Sequence, residues 1–157
     1  MDENKFLTFY IGDEIFALDV LMINEIIPYN RITYIPKMQP YIKGVMNIRG
    51  QIVPIISLDI RLELDIQQEM EKKKKSIIII SLNYDDEQSL VGVIVNKVDQ
   101  VFTLSPSQLE SAPTFGAKIP KHFIHNIAKF DDKFISILDM DEILNLQELS
   151  TTLQDME

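Results

Sequence analysis

PYIKGVMNIRGQIVPIISLDI, residues 40–60, holds two apolar runs on either side of the dipeptide Arg49-Gly50. Gly50 adopts a positive φ at no steric cost, so this spacing predicts a β-hairpin with a tight turn. Pro54 has no backbone N–H, which predicts that it lies at a strand edge or a bulge. An apolar hairpin does not require a guanidinium at its tip, and Arg49 is therefore a candidate functional residue.

Length, composition and charge limit the possible classes of protein. The 157 residues, 46% of them hydrophobic, suffice for one domain with a sizeable core. The formal net charge of -9 argues against binding to nucleic acid or to anionic membranes. The chain has no cysteine, a polar start and no apolar run near the roughly 20 residues that a membrane helix needs. We therefore expect a cytoplasmic protein that binds no nucleic acid and does not insert directly into a membrane.

Apolar runs separated by turn residues predict many short strands and few helices. Residues 20–27 fit either a helical turn or a strand after a bend, and residues 38–44 predict a helical turn that Gly44 ends. The polar segment 61–76 predicts a surface loop between two lobes, residues 6–66 and 76–140. This pattern predicts an all-β protein of two small barrels. The expected strands are 6–11, 15–19, 32–35, 45–48, 52–58, 77–82, 90–95, 98–102, 124–130 and 134–138.

Two places carry helix-start signals. Ser105, Pro106 and Gln108 form a capping-box pattern, and Asp139 with Glu142 predicts a short C-terminal helix. Residues 148–157 are expected to fray, which leaves a single domain over residues 4–147.

No catalytic or metal-binding pattern is visible in the sequence. His122 and His125 stand three residues apart near a predicted strand, where an odd spacing points them to opposite faces without a third ligand. There is no glycine-rich phosphate loop and no nucleophile elbow. Adjacent acidic residues fall in predicted turns and caps, where raised pKa values are not expected. We therefore predict no catalytic residue, no cofactor and no metal, which makes an adaptor or scaffold the leading class.

Several stretches are similar to one family, and the match runs from Phe6 to about Asn145. The Lys-Gly-Val-x-Asn-(Ile/Leu)-Arg-Gly pattern within them is highly specific, and the chain resembles the CheW-type chemotaxis coupling proteins. Ala17 stands where many members have glycine. Ser57-Leu58-Asp59, with Arg61 two residues later, replaces the family's Asp-Leu-Arg, so the choice of partner near this strand end is open. The matching stretches are FLTF (6–9), GDE (12–14), LDV (18–20), INEI (23–26), IKGVMNIRGQIVPII (42–56), VGVIV (91–95) and VDQV (98–101).

The resemblance implies two SH3-like five-stranded β-barrel lobes packed together, with exchange of strands between them as an open option. It implies a non-catalytic adaptor that couples chemoreceptors, the methyl-accepting chemotaxis proteins, to the histidine kinase CheA. The partners would be the kinase regulatory domain and the receptor cytoplasmic tip. The free protein would be a monomer and the bound protein part of receptor arrays. Two alternatives are coupling in a related pathway, such as surface motility, and a small β-barrel ligand-binding domain.

The resemblance also implies particular contact residues. Glu25 and Arg49 match a functional charged pair, and we expect them to pair across the surface of the first barrel beside the receptor groove. Phe115 follows Pro113 in a predicted loop and matches an aromatic residue of a second kinase-facing surface. The full set of implied receptor and kinase contacts is Ile23, Glu25, Arg49, Ile77, Val101 and Phe115.

Overall fold

The computed structural model describes residues 4–64, 74–84, 86–111, 119–130 and 133–144. Two short α-helices, α1 (Leu58–Arg61) and α2 (Met140–Leu144), and three-residue 3-10 helices at Val20–Met22, Pro106–Gln108 and Lys121–Phe123 connect the strands. The strands are β1 (Asn4–Ile11), β2 (Glu14–Asp19), β3 (Ile23–Pro28), β4 (Ile42–Ile48), β5 (Gln51–Ser57), β6 (Ser76–Tyr84), β7 (Glu87–Val95), β8 (Lys97–Leu104), β9 (Leu109–Glu110), β10 (Ile124–Phe130) and β11 (Lys133–Leu138).

The strands form two sheets, with the orders β8-β1-β2-β11-β10-β9 and β3-β6-β7-β5-β4. The prediction of an all-β fold in two parts, with short helices that include a C-terminal one, is confirmed. One sheet has six strands rather than the expected five because the two-residue strand β9 is added at its edge.

Each sheet takes strands from both halves of the chain. The parallel pairing of β2 with β11 places the N-terminal hairpin beside the C-terminal strands. The parallel pairing of β5 with β7 places β6 and β7 beside β3, β4 and β5. The two sheets therefore do not coincide with residues 6–66 and 76–140, because strands are exchanged across the polar segment.

The buried apolar side chains form three clusters, and neighbouring buried side chains of a strand point into different clusters. Ile78 and Ile80 of β6 lie in the largest cluster, whereas Ile77 and Ile79 lie in a cluster built only from the five-stranded sheet. We call the largest cluster the shared core, because it takes side chains from both sheets and so lies between them. Strand β6 is buried on both faces, as its run of four isoleucines predicted.

The hairpin of β4 and β5 has the predicted tight turn. Arg49 and Gly50 both have positive φ, 49° and 83°, as in the two-residue turns that suit the twist of a hairpin. The Gly50 N–H donates to Asn47 Oδ1 at 2.9 Å. The expectation for Pro54 needs correction, because β5 lies between β4 and β7 and is not an edge strand. Pro54 precedes the first residue of the ladder with β7, Ile55, so its missing N–H falls where that ladder begins.

Two predictions between β3 and β4 are wrong. Residues 32–35 form no strand but a single bridge between Thr33 and Val45, and Gly44 ends no helical turn but lies inside β4. A Cβ on Gly44 would lie 2.1 Å from the carbonyl oxygen of Thr33, and its φ is 150°. Glycine is therefore needed here because two backbone segments approach closely. This approach connects the chain after the edge strand β3 to the opposite edge strand β4 through a single bridge.

Arg61 at the end of α1 contacts three members of the shared core, two of them aromatic. Its Cζ lies 4.7 Å from the ring centroid of Tyr41 and 4.9 Å from that of Phe123, and its Nε donates to the carbonyl oxygen of Ile143. A guanidinium held between two rings gains cation–π energy from each.

Replacement of Arg61 by methionine is expected to lower the free energy of unfolding by about 1–3 kcal/mol, because it removes both ring contacts and one hydrogen bond. The free energy of unfolding of Arg61→Lys should lie between those of the wild type and Arg61→Met, since lysine keeps the charge but loses the planar stack. Urea denaturation measures the change, and Arg31→Met, at an exposed position, serves as the control. Equal stability of Arg61→Met and Arg31→Met would contradict this role.

Candidate partner-binding site

Glu25 and Arg49 form an ion pair at the surface of the five-stranded sheet. Arg49 Nη2 lies 2.5 Å from Glu25 Oε1, and the side chains are 68% exposed for Arg49 and 28% exposed for Glu25. The pair joins the edge strand β3 to the hairpin tip beyond the opposite edge strand β4. The expected contact is therefore present. An exposed pair contributes only about 0.2–1 kcal/mol, so stability is a weak reason for its presence.

A β-bulge in β3 orients Glu25 away from the shared core. Ile23 pairs with Ile80 and Glu25 pairs with Ile79, so the register shifts by one residue between them. Ile79 and Ile80 face opposite sides of β6, so their partners Glu25 and Ile23 face opposite sides of β3. On a regular strand, residues two positions apart would share a face. The bulge thus places the carboxylate toward Arg49 and the isoleucine toward the shared core.

Apolar side chains remain exposed on the two edge strands that border the shared core. On β3, Ile26 is 43% exposed, and its partner Ile78 belongs to the shared core. On β8, Val101 is 53% exposed, and its partner Leu7 also belongs to the shared core. Leu21, in the 3-10 helix before β3, is 90% exposed. We call Leu21, Ile23, Ile26 and Val101 the rim residues; each of them offers accessible apolar surface.

The predicted contact residues have different outcomes. Ile23, Glu25, Arg49 and Val101 all have accessible surface, and their roles in partner binding remain predictions. Ile77 is fully buried in the cluster of the five-stranded sheet, because β6 lies between β3 and β7. The role of Ile77 in partner binding also stays a prediction. Phe115 lies outside the described residues, and its role also stays a prediction.

Sequence reasoning did not select Leu21 and Ile26 as site residues. Both lie in the stretch 20–27, whose apolar spacing fitted a helix and a strand equally well. The exposure of Ile26 depends on β3 being an edge strand, which is a property of the tertiary pairing, whereas Leu21 lies in the 3-10 helix before β3.

The described residues show no arrangement suited to metal chemistry. His122 lies in a 3-10 helix and His125 in β10, and both are exposed. Within residues 4–64, 74–84, 86–111, 119–130 and 133–144, no group of three or more histidines and acidic residues could hold a metal ion. In the same ranges, no helix has the length and apolar character needed to cross a membrane. What these residues display is contact surface: an ion pair and exposed apolar side chains on a β scaffold.

The fold and this surface define a small all-β scaffold protein, and comparison with known proteins identifies the family. The CheW-like domain family matches residues 5–148. The chain belongs to this family and is a coupling or scaffold protein of chemotaxis.

The relatives cover nearly the whole chain. The chain is 31% identical to the chemotaxis protein CheW of Bacillus subtilis, over 96% of this chain and 93% of that protein. It is 32% identical to the chemotaxis protein CheW of Thermotoga maritima, over 92% and 89% of the two chains. Among solved structures it is similar to the scaffolding protein TtCheW from Thermoanaerobacter tengcongensis, with a TM-score of 0.79 and 29% identity over 91% of this chain and 88% of that chain.

Proposed function

We propose that this chain couples chemoreceptors to the histidine kinase CheA, by binding the kinase regulatory domain and the receptor cytoplasmic tip in the cytoplasm. It catalyses no reaction and acts as an adaptor that holds the two partners in a fixed relative position. The observation that carries the proposal is the exposure of Ile26 and Val101 on two edge strands that border one core, together with the exposed Glu25–Arg49 pair.

This arrangement suits a protein partner better than a small molecule. Interfaces combine a few apolar anchors with polar groups at the rim, and anchors commonly cost about 2 kcal/mol or more when truncated. Ile26 and Val101 provide such anchors without requiring a deep cavity. The guanidinium of Arg49 is held by Glu25 and therefore presents hydrogen-bond donors in a fixed direction. These donors would set the orientation of the partner.

Replacement of Val101 by aspartate is expected to weaken capture of the receptor tip by about tenfold or more, because a carboxylate would replace an apolar anchor at the contact. The measurement is co-purification with the kinase regulatory domain and the receptor tip from the same cell, followed by calorimetry. Gln88→Asp, which adds the same charge at an exposed position of β7, is the control.

Wild-type protein that retains neither partner would overturn the proposed function. Full capture by Val101→Asp, with the control also normal, would show that β8 lies outside the contact surface. Capture of a kinase and receptor from a surface-motility pathway instead would favour that alternative.

A further inference from the structure

The edge strand β8 contains a bulge that decides which way Val101 points. Val98 pairs with Phe9 and Val101 pairs with Leu7, so three steps along β8 correspond to two steps along β1. Phe9 and Leu7 both belong to the shared core. On a regular strand, residues three apart face opposite sides, so Val98 and Val101 share a face only because one extra residue is inserted.

Thr8 lies opposite the inserted residue. It is 1% exposed, and its Oγ1 is 3.0 Å from the carbonyl oxygen of Gln100 and 3.2 Å from Asp99 Oδ2, two acceptors for its single proton. The same oxygen accepts the backbone N–H of Gln100 at 3.2 Å. One buried hydroxyl thus makes the hydrogen bonds that the regular ladder would make at this position.

We infer that Thr8 is a positioning residue for partner binding: its hydroxyl holds the bulge at Asp99 and Gln100 and so keeps Val101 at the border of the shared core. Without the hydroxyl, the bulge loses its hydrogen-bonded partner. A regular register from Val98 onward would turn Val101 to the opposite face of the sheet, since a shift of one residue reverses the side-chain direction. The effect on binding rests on the proposed function, whereas the effect on β8 does not.

Thr8→Val tests this inference, because valine has nearly the same shape as threonine but no hydroxyl. The backbone amide of Gln100 should exchange with solvent about fivefold faster, since it loses one hydrogen bond and exchange reports local opening. Contacts between the side chains of Val101 and Leu7 should weaken in nuclear Overhauser spectra. Affinity for the receptor tip should fall by about tenfold, the effect expected for losing one apolar anchor.

Two further variants make the test specific to the buried hydroxyl. Thr8→Ser retains the hydroxyl and should restore both the protection of Gln100 and the affinity. Thr103→Val, at an exposed position of β8, should leave the protection of Gln100 and the affinity unchanged.

The inference is overturned if Thr8→Val keeps the Gln100 amide protected and Val101 against Leu7, or if these change while affinity for the receptor tip does not. If Thr8→Val does not fold, Thr8→Ser decides: loss of Gln100 protection despite the retained hydroxyl would also overturn the inference. If the wild-type protein binds no receptor tip, the proposed function fails, and amide exchange still decides whether Thr8 holds the bulge.

Discussion

Reversal of the charge at Arg49, in Arg49→Glu, is expected to abolish receptor-dependent control of the kinase while leaving the unfolding temperature within a few degrees of wild type. The ion pair is exposed, so its loss removes only about 0.2–1 kcal/mol of stability. The substitution also places a carboxylate against Glu25, which displaces the hairpin tip relative to the rim residues. Kinase activity in a reconstituted mixture of kinase, receptor and adaptor measures the effect.

A double exchange tests whether the two charges act together. Arg49→Glu combined with Glu25→Arg reverses the direction of the pair and should partly restore control of the kinase. Arg31→Glu, at an exposed arginine outside the pair, is the control for a change in net charge. The idea fails if the double exchange behaves as the sum of two independent losses, because residues in contact are expected to be coupled energetically.

Gly44→Ala is expected to cause the largest loss of stability of the single substitutions considered, about 3 kcal/mol or more. The added Cβ would lie 2.1 Å from the carbonyl oxygen of Thr33 and 2.8 Å from its carbonyl carbon. These are backbone atoms, so no flexible side chain can move aside. The substitution should therefore open the bridge between Thr33 and Val45.

Gly50→Ala is the matched control for this prediction. Gly50 also has a positive φ, 83°, but a Cβ there would have no heavy atom within 4 Å. Gly50→Ala should therefore lower the free energy of unfolding by only about 1–2 kcal/mol, the cost of local backbone strain. Urea denaturation compares the two variants, and exchange of the Val45 amide, which donates to the Thr33 carbonyl at 2.9 Å, reports the bridge directly. If Gly44→Ala is no less stable than Gly50→Ala, the close approach does not determine stability.

Local patterns in the sequence were sufficient to predict most of the strands. The turn at Arg49-Gly50 and the doubly buried strand β6 were both predictable, because turn chemistry and β-branched content act over a few residues. The errors fall where distant segments meet. Gly44 has the sequence signature of a helix end, yet its role is set by Thr33 across the sheet. Likewise, the complete burial of Ile77 depends on which strands flank β6.

The candidate site was predictable only in part. An arginine at a hairpin tip and a glutamate in an apolar stretch pointed to Arg49 and Glu25, and the two side chains are in contact. The bulges in β3 and β8 were not predictable, since a bulge is defined by the register against a partner strand. Those registers decide that Val101 and Ile23 face the border of the shared core.

The exchange of strands between the two halves has a consequence for how the protein is made. The five-stranded sheet is complete once β7 has left the ribosome, because all its strands lie between Ile23 and Val95. The hairpin of β1 and β2 is synthesised before the other strands described here, yet its neighbour β11 follows all of them. Until then Phe6 and Ala17 lack Ala128, Ile135 and Ile137, the partners with which they form a buried cluster. The nascent chain therefore carries an unfinished sheet edge while β3 to β10 are made, and such an unpaired edge favours aggregation and the need for chaperones.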